Sequence, residues 1–204
     1  MQKSLQVWQF IYNCLQQATP AILLYVVESK GSSPGRQGFF MAVNRDGEME
    51  GSIGGGIMEH KFVEMAKEQL RQTDEHTTGG SIKKQIHDKS AGSNQSGMIC
   101  SGEQTIILLS ITEKDETVVK SIISSLQQNK NGTLTLSPGF ISFEDKIPAK
   151  NYEFQFHAEQ EWIYREKTGY KQQLFIVGGG HCALAFSKLM QDLDFYITLY
   201  EERE

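Results

Sequence analysis

The stretch that most constrains this chain is Leu174-Phe175-Ile176-Val177, which runs without a break into Gly178-Gly179-Gly180. The apolar residues read as a short buried strand, and glycine at 178 permits a tight turn out of it. A helical rhythm then continues through Ala185, Leu189 and Met190. Phe195-Tyr196-Ile197-Thr198-Leu199-Tyr200 forms a second strand. Strand, helix and strand in this order fold as a parallel pair with a crossover helix.

Within that unit, Gly178-x-Gly180-x-x-Ala183 matches the dinucleotide pattern G-x-G-x-x-G/A. Gly180 lets a pyrophosphate approach the backbone, Ala183 keeps the helix close to the sheet, and the helix N-terminus supplies free N–H groups. The pattern asks for an acid roughly 20 positions on to meet a ribose. Glu201, followed by Glu202, stands at the end of the second strand. NAD(P) is the cofactor expected there. A nucleotide domain of this kind has five or six parallel strands, so residues 169–204 are expected to be only the start of a Rossmann-type domain. Its open edge needs cover, which makes a homodimer the expected assembly.

Residues 1–168 are expected to form a separate N-terminal α/β domain with a mixed sheet. Leu5, Trp8, Ile11, Tyr12 and Leu15 recur at helical spacing between Ser4, the expected cap, and Pro20. Ala21–Val27 is too apolar for a one-sided strand and reads as a buried one. Asn44-Arg45-Asp46-Gly47 has hairpin-turn chemistry between Phe39–Val43 and Glu48–Ile53. A helix over Ile57–Gln72 presents Met58, Phe62, Met65, Ala66 and Leu70 on one face. Beyond it, a strand at Ser81–His87 is expected between flexible loops, then a buried strand at Gln104–Ile111. A helix at Thr117–Gln128 and several short strands from Thr133 to Tyr164 complete the domain.

Composition excludes several classes. With 20 Lys plus Arg against 25 Asp plus Glu, the chain lacks the basic excess of a nucleic-acid binder. No apolar run reaches the roughly 18 residues that cross a bilayer. The N-terminus has no signal-peptide pattern, and an odd, widely spaced set of cysteines makes the reducing cytoplasm the expected compartment. The 3 cysteines, Cys14, Cys100 and Cys182, are widely spaced, which argues against both a disulfide framework and a zinc ribbon. Cys14 and Cys182 lie on helices and are expected to be inert and buried.

Two glycine-rich loops carry the N-terminal chemistry. Gly31-Ser32-Ser33-Pro34-Gly35-Arg36 is the first. Gly51-Ser52-Ile53-Gly54-Gly55-Gly56 is the second, and it opens a helix. Successive N–H groups at a helix start form an anion-binding nest, to which Arg36 adds a guanidinium. Ser32, Ser33, Arg36, Ser52, Gly54, Gly55 and Gly56 are the expected contacts. Cys100, within Gly97-Met98-Ile99-Cys100-Ser101-Gly102, sits where a thiol stays reachable. A thiolate suits soft or high-valent metals and sulfur chemistry, which makes Cys100 the candidate metal ligand, against the inert, buried place that a lone cysteine more often takes.

Taken in order, Gly31-Ser32-Ser33-Pro34 with Arg36, Asp46-Gly47, Gly51-Ser52-Ile53-Gly54-Gly55-Gly56 with Glu59, Gly97-Met98-Ile99-Cys100 and Gly178-Gly179-Gly180-His181 resemble the XdhC/CoxI family. Those proteins are accessory factors for molybdenum hydroxylases such as xanthine dehydrogenase. The resemblance implies binding of the molybdenum cofactor, support for its sulfuration, and delivery to the apo-hydroxylase, with a sulfurtransferase as a second partner. The glycine loops would hold the phosphates and Cys100 would lie near molybdenum. The family often has a cysteine where this chain has Ile57, and Cys-Gly-Gly where it has Cys100-Ser101-Gly102.

That reading describes binding and handover, without ordinary turnover. An NAD(P)-linked oxidoreductase is the alternative from another class, although no catalytic Tyr/Lys or His/Asp arrangement follows the glycine motif. A hydroxylase-docking module with vestigial loops is the third.

Overall fold

A computed structural model describes residues 3–72, 80–86, 102–191, 193 and 195–202. Helix α1 (Lys3–Gln16) buries Leu5, Val7, Trp8, Ile11, Cys14 and Leu15. It begins at Lys3, so Ser4 lies inside its first turn and does not cap it. Strand β1 (Ala21–Gly31) is buried on both faces through Val27, as its unbroken apolar run requires. It pairs antiparallel with β2 (Phe40–Asn44) on one side and β5 (Gly102–Ile111) on the other. Strands β3 (Met49–Gly51) and β4 (Ser81–Ile86) close the edges, giving the order β3-β2-β1-β5-β4.

The β2–β3 hairpin follows from its turn residues. The Asn44 side-chain oxygen accepts from the Asp46 and Glu48 amides, and Gly47 takes a left-handed φ of +84°. Every described pairing in this sheet is antiparallel, where a mixed sheet was expected. Among the described residues, parallel pairing occurs between Gln172–Val177 and Phe195–Tyr200 near the C-terminal end.

Alternate residues of β1 feed two cores. Ile22, Leu24 and Val26 meet Met58, Phe62, Val63, Ala66 and Leu70 of α2 (Gly56–Gln72). Val63 takes the buried place expected for Met65, which is 38% exposed. Leu23, Tyr25 and Val27 face α1, α3 (Glu116–Gln127) and a second sheet. That sheet consists of β6 (Thr133–Ser137), β7 (Phe140–Glu144), β8 (Tyr152–Ala158) and β9 (Glu161–Lys167), in the order β7-β6-β9-β8. Each fully buried Leu or Ile side chain contributes about 1.5–3 kcal/mol. The two-sided burial of β1 therefore anchors everything attached to its ends.

After Gly169 come β10 (Gln172–Val177), α4 (His181–Gln191) and β11 (Phe195–Tyr200). Strands β10 and β11 pair in parallel, which is the expected β–α–β connection. Its helix has no buried residue. The loops expected around the Ser81 strand fall mostly outside the described residues. Among those residues no helix is long and apolar enough to cross a membrane.

Candidate functional site

The first glycine loop leaves the sheet where Gly31, the last residue of β1, pairs with Gly102, the first of β5. Ser33 is buried and its hydroxyl donates to the Gly35 carbonyl at 2.9 Å. Ser32 and Arg36 are exposed. The Arg36 guanidinium donates to the Gly31 carbonyl at 2.9 Å, closing the loop across its base. Beyond Arg36, the Gln37 amide donates to the Ser29 hydroxyl and its side chain to the Val27 carbonyl.

The second loop holds a carboxylate from its own chain. One oxygen of Glu59, in the first turn of α2, accepts from the Ser52 hydroxyl at 2.7 Å, the Ile53 amide at 2.9 Å and the Gly55 amide at 3.0 Å. The Gly54 amide donates to the Ser52 hydroxyl. The nest thus attracts an anion as the sequence predicts, but the anion is Glu59. Glu59 stands seven positions after Ser52, a spacing that lets a carboxylate one turn into the helix reach back to its own start.

The two loops pack back to back. A Cβ on Gly35 would stand 2.0 Å from the Ile53 carbonyl oxygen and 2.4 Å from the Gln104 side-chain nitrogen. A Cβ on Gly54 would meet the Gly35 amide at 2.6 Å. A Cβ on Gly102 would meet the Ser32 carbonyl carbon at the same distance, 2.6 Å. Ser32, Gly35, Gly54 and Gly102 therefore converge from three sequence motifs at one end of the β1–β5 pair. Cys100, the expected metal ligand, lies outside the described residues, two positions before Gly102. Among the described residues no group of three or more His, Cys, Asp or Glu side chains gathers to hold a metal.

The C-terminal glycine turn repeats the pattern. Glu201 accepts from the Gly179 amide, so the acid expected to meet a ribose rests on the turn itself. Gly178 has a φ of +93° and no atom within 4 Å of a built Cβ, and Gly180 is equally open. Ala183 joins Gly178 and Gly180 in lining a shallow groove with Ile176, Val177, Cys182 and Phe186. Cys182 is exposed, contrary to its expected burial, as α4 buries none of its residues among the described ones. Cys14 is buried as expected, and burial pushes its thiol pKa up.

Sequence reasoning missed a buried polar cluster behind the first loop. Glu166 is 3% exposed and accepts from the Tyr25 hydroxyl at 2.8 Å, the Tyr164 hydroxyl at 2.6 Å and the Lys171 ammonium at 2.6 Å. Burial, then the Glu166 charge, drives the Tyr25 and Tyr164 pKa values far up. Burial alone would lower that of Lys171, but Glu166 and Tyr152 together hold it above the ordinary value. Tyr25 stacks on Phe40 at 4.8 Å, and a Cβ on Gly38 would strike the Tyr152 ring at 2.6 Å. The cluster thus backs the chain just after Arg36. The signal for Glu166 was present: a two-residue period from Trp162 and Tyr164 points it inward.

Residues 14–78 match the model of the XdhC and CoxI family. That span contains both N-terminal glycine loops, and the resemblance read from the motifs is borne out there. The fold is similar to that in the crystal structure of a xanthine dehydrogenase from Bacillus halodurans, with a TM-score of 0.64 at 16% identity. The match covers 98% of this chain and 62% of that one. No curated protein sequence matches.

Proposed function

We propose that this chain is an accessory factor for a xanthine dehydrogenase-type molybdenum hydroxylase, which holds the molybdenum cofactor during sulfuration and passes it to the apo-enzyme. The observation that carries the reading is the convergence of Ser32, Gly35 and Gly54, which lie in the segment that matches the XdhC and CoxI family, with Gly102 at the start of β5. The donor set fits a group held at the rim of the loops. Glu59 already takes the Ile53 and Gly55 amides, so a phosphate would meet the exposed Ser32 and Arg36 first. When bound, the cofactor supplies an anionic phosphate and a molybdenum centre that takes a sulfur ligand. Arg36 offsets the phosphate charge, and Cys100 offers a thiolate to the metal.

Cofactor content decides the matter. The protein is incubated anaerobically with the isolated molybdenum cofactor, desalted, and assayed for molybdenum and pterin. Near-stoichiometric retention that drops in Cys100→Ser and in Arg36→Ala supports the reading. Retention unchanged in Cys100→Ser removes the thiol from the site. No retention by any form leaves docking on the hydroxylase as the function.

A second reading, NAD(P) binding, is favoured by the parallel β–α–β pairing with Glu201 at the turn. Tight binding in a nucleotide titration is its test. We also propose a cytoplasmic homodimer, with exposed Phe175, Val177 and Tyr200 at the contact. A monomer by light scattering at micromolar concentration would overturn that assembly.

A further inference from the structure

We infer that Gln104 is a positioning residue: its carboxamide sets the register of the Ser32–Arg36 loop against the Ser52–Gly56 loop and so places Arg36. Gln104 is 1% exposed and stands near the start of β5, ahead of the apolar run Ile106–Leu109. Its side-chain nitrogen donates to the Gly35 carbonyl at 3.0 Å and to the Ile53 carbonyl at 3.2 Å. Both acceptors are carbonyl oxygens, so the amine end of the amide must face them. The two bonds join segments 69 and 51 residues away in sequence.

The surroundings are shaped for this brace. Gly35 has no side chain where a Cβ would stand 2.4 Å from the Gln104 nitrogen. Any larger residue there would push the amide away from both carbonyls. On the far side of Arg36, Gln37 is tied to Ser29 and Val27 of β1. Ser29 is itself the β1 partner of Gln104 in the sheet. Arg36 therefore lies between two anchors, one on β5 and one on Val27 and Ser29 of β1. A hydrophobic residue at 104 would suit the neighbouring core, but it would take this donor from the Ile53 carbonyl and leave the Gly35 carbonyl with the Ser33 hydroxyl, and a lost buried hydrogen bond is costly. A buried amide in this place is best explained by the register it imposes.

The structural part of this inference stands on the geometry above, and its functional part rests on the cofactor-holding reading. Two variants test it, Gln104→Met, which keeps length without donors, and Gln104→Glu, which replaces the donor amine with oxygen. Amide hydrogen exchange is followed over residues 33–37 and 52–55, with β2 as the internal control, and cofactor retention is measured alongside. In Gln104→Met the loop amides should exchange at least about tenfold faster while β2 stays protected, as local opening predicts. Retention should fall with them.

In Gln104→Glu, a carboxylate faces two carbonyl oxygens, which favours its protonated form. Protonation restores one donor, so corrected loop protection should recover as pH falls. A purely space-filling role would show no such titration. Unchanged loop exchange in a folded Gln104→Met, equal acceleration in β2, or a pH-independent Gln104→Glu would each overturn the brace. Wild-type retention that persists undiminished in Gln104→Met despite loosened loops would overturn the placement of Arg36. If wild type retains nothing while the exchange pattern holds, the cofactor reading falls and the brace stands.

Discussion

The Gly51–Gly56 turn and the Gly178–Gly180 turn share one plan. Each follows a strand, each leads into a helix, and each seats one of the chain's own carboxylates on backbone amides: Glu59 on Ile53 and Gly55, Glu201 on Gly179. Their surroundings differ, although Gly55 of the first is as open as Gly178 and Gly180 of the second. The first turn has Gly35 and Gln104 pressed against its back, and its helix α2 buries five side chains. The second has open space at Gly178 and Gly180, Val177 is 86% exposed, and α4 buries nothing. A glycine pattern therefore specifies a turn with inward N–H groups. What fills those groups, and what holds the turn still, is decided by residues elsewhere in the chain.

The largest test of this contrast is on the braced side. Removing one partner of a buried ion pair leaves an uncompensated charge, and Glu166→Ala strips the acceptor from Tyr25, Tyr164 and Lys171 together. It should lower unfolding free energy by roughly 3–5 kcal/mol in urea titrations. Gly35→Ala comes next. Its Cβ would overlap the Ile53 carbonyl of the second loop and the Gln104 amide of β5, so about 3 kcal/mol is expected, with faster exchange in both loops. A loss under about 0.5 kcal/mol, the range of ordinary surface changes, would mean that the loops are not braced at all.

The same side should also be the source of alkaline sensitivity. The Tyr25, Tyr164 and Lys171 pKa values are raised in the folded protein. A raised folded pKa gives stability that is present below the unfolded value and is lost as pH rises past it. Those unfolded values lie near 10 for Tyr and 10.4 for Lys. Stability should therefore fall steeply above about pH 10, and Tyr164→Phe, which removes one titrating group, should make that fall shallower. An equal slope in the two proteins would place the alkaline transition outside this cluster.

Much of the fold was legible because its signals are local. The two-sided burial of β1 follows from the unbroken run Ala21–Val27, and the β2–β3 hairpin follows from Asn44 and Gly47. The antiparallel pairing of β1 with β5 was not legible, since nothing in either strand names its neighbour. The loops of the site were found by their glycines, but Gln104 was passed over as the polar start of an apolar strand. Its partners lie 69 and 51 residues away. Glu59 was noted as part of a motif and not as the anion in the nest. Cys182 was misplaced because helical rhythm says which face is apolar, not whether anything covers it.

The smallest expected effect is the most discriminating one. Gly180 meets no atom within 4 Å of a built Cβ, and its φ is not among the left-handed ones. Gly180→Ala should therefore change stability by no more than about 0.5 kcal/mol, a typical surface substitution. Gly178, with a φ of +93°, should lose about 1–2 kcal/mol on the same change from backbone strain alone. A dinucleotide needs the bare backbone at 180 for its pyrophosphate, so the same Gly180→Ala protein should lose nucleotide affinity while keeping its unfolding midpoint. Loss of both would show a packed turn and erase the contrast with Gly35. Loss of neither would leave the open turn as a connector between β10 and α4, with Glu201 accepting from the Gly179 amide.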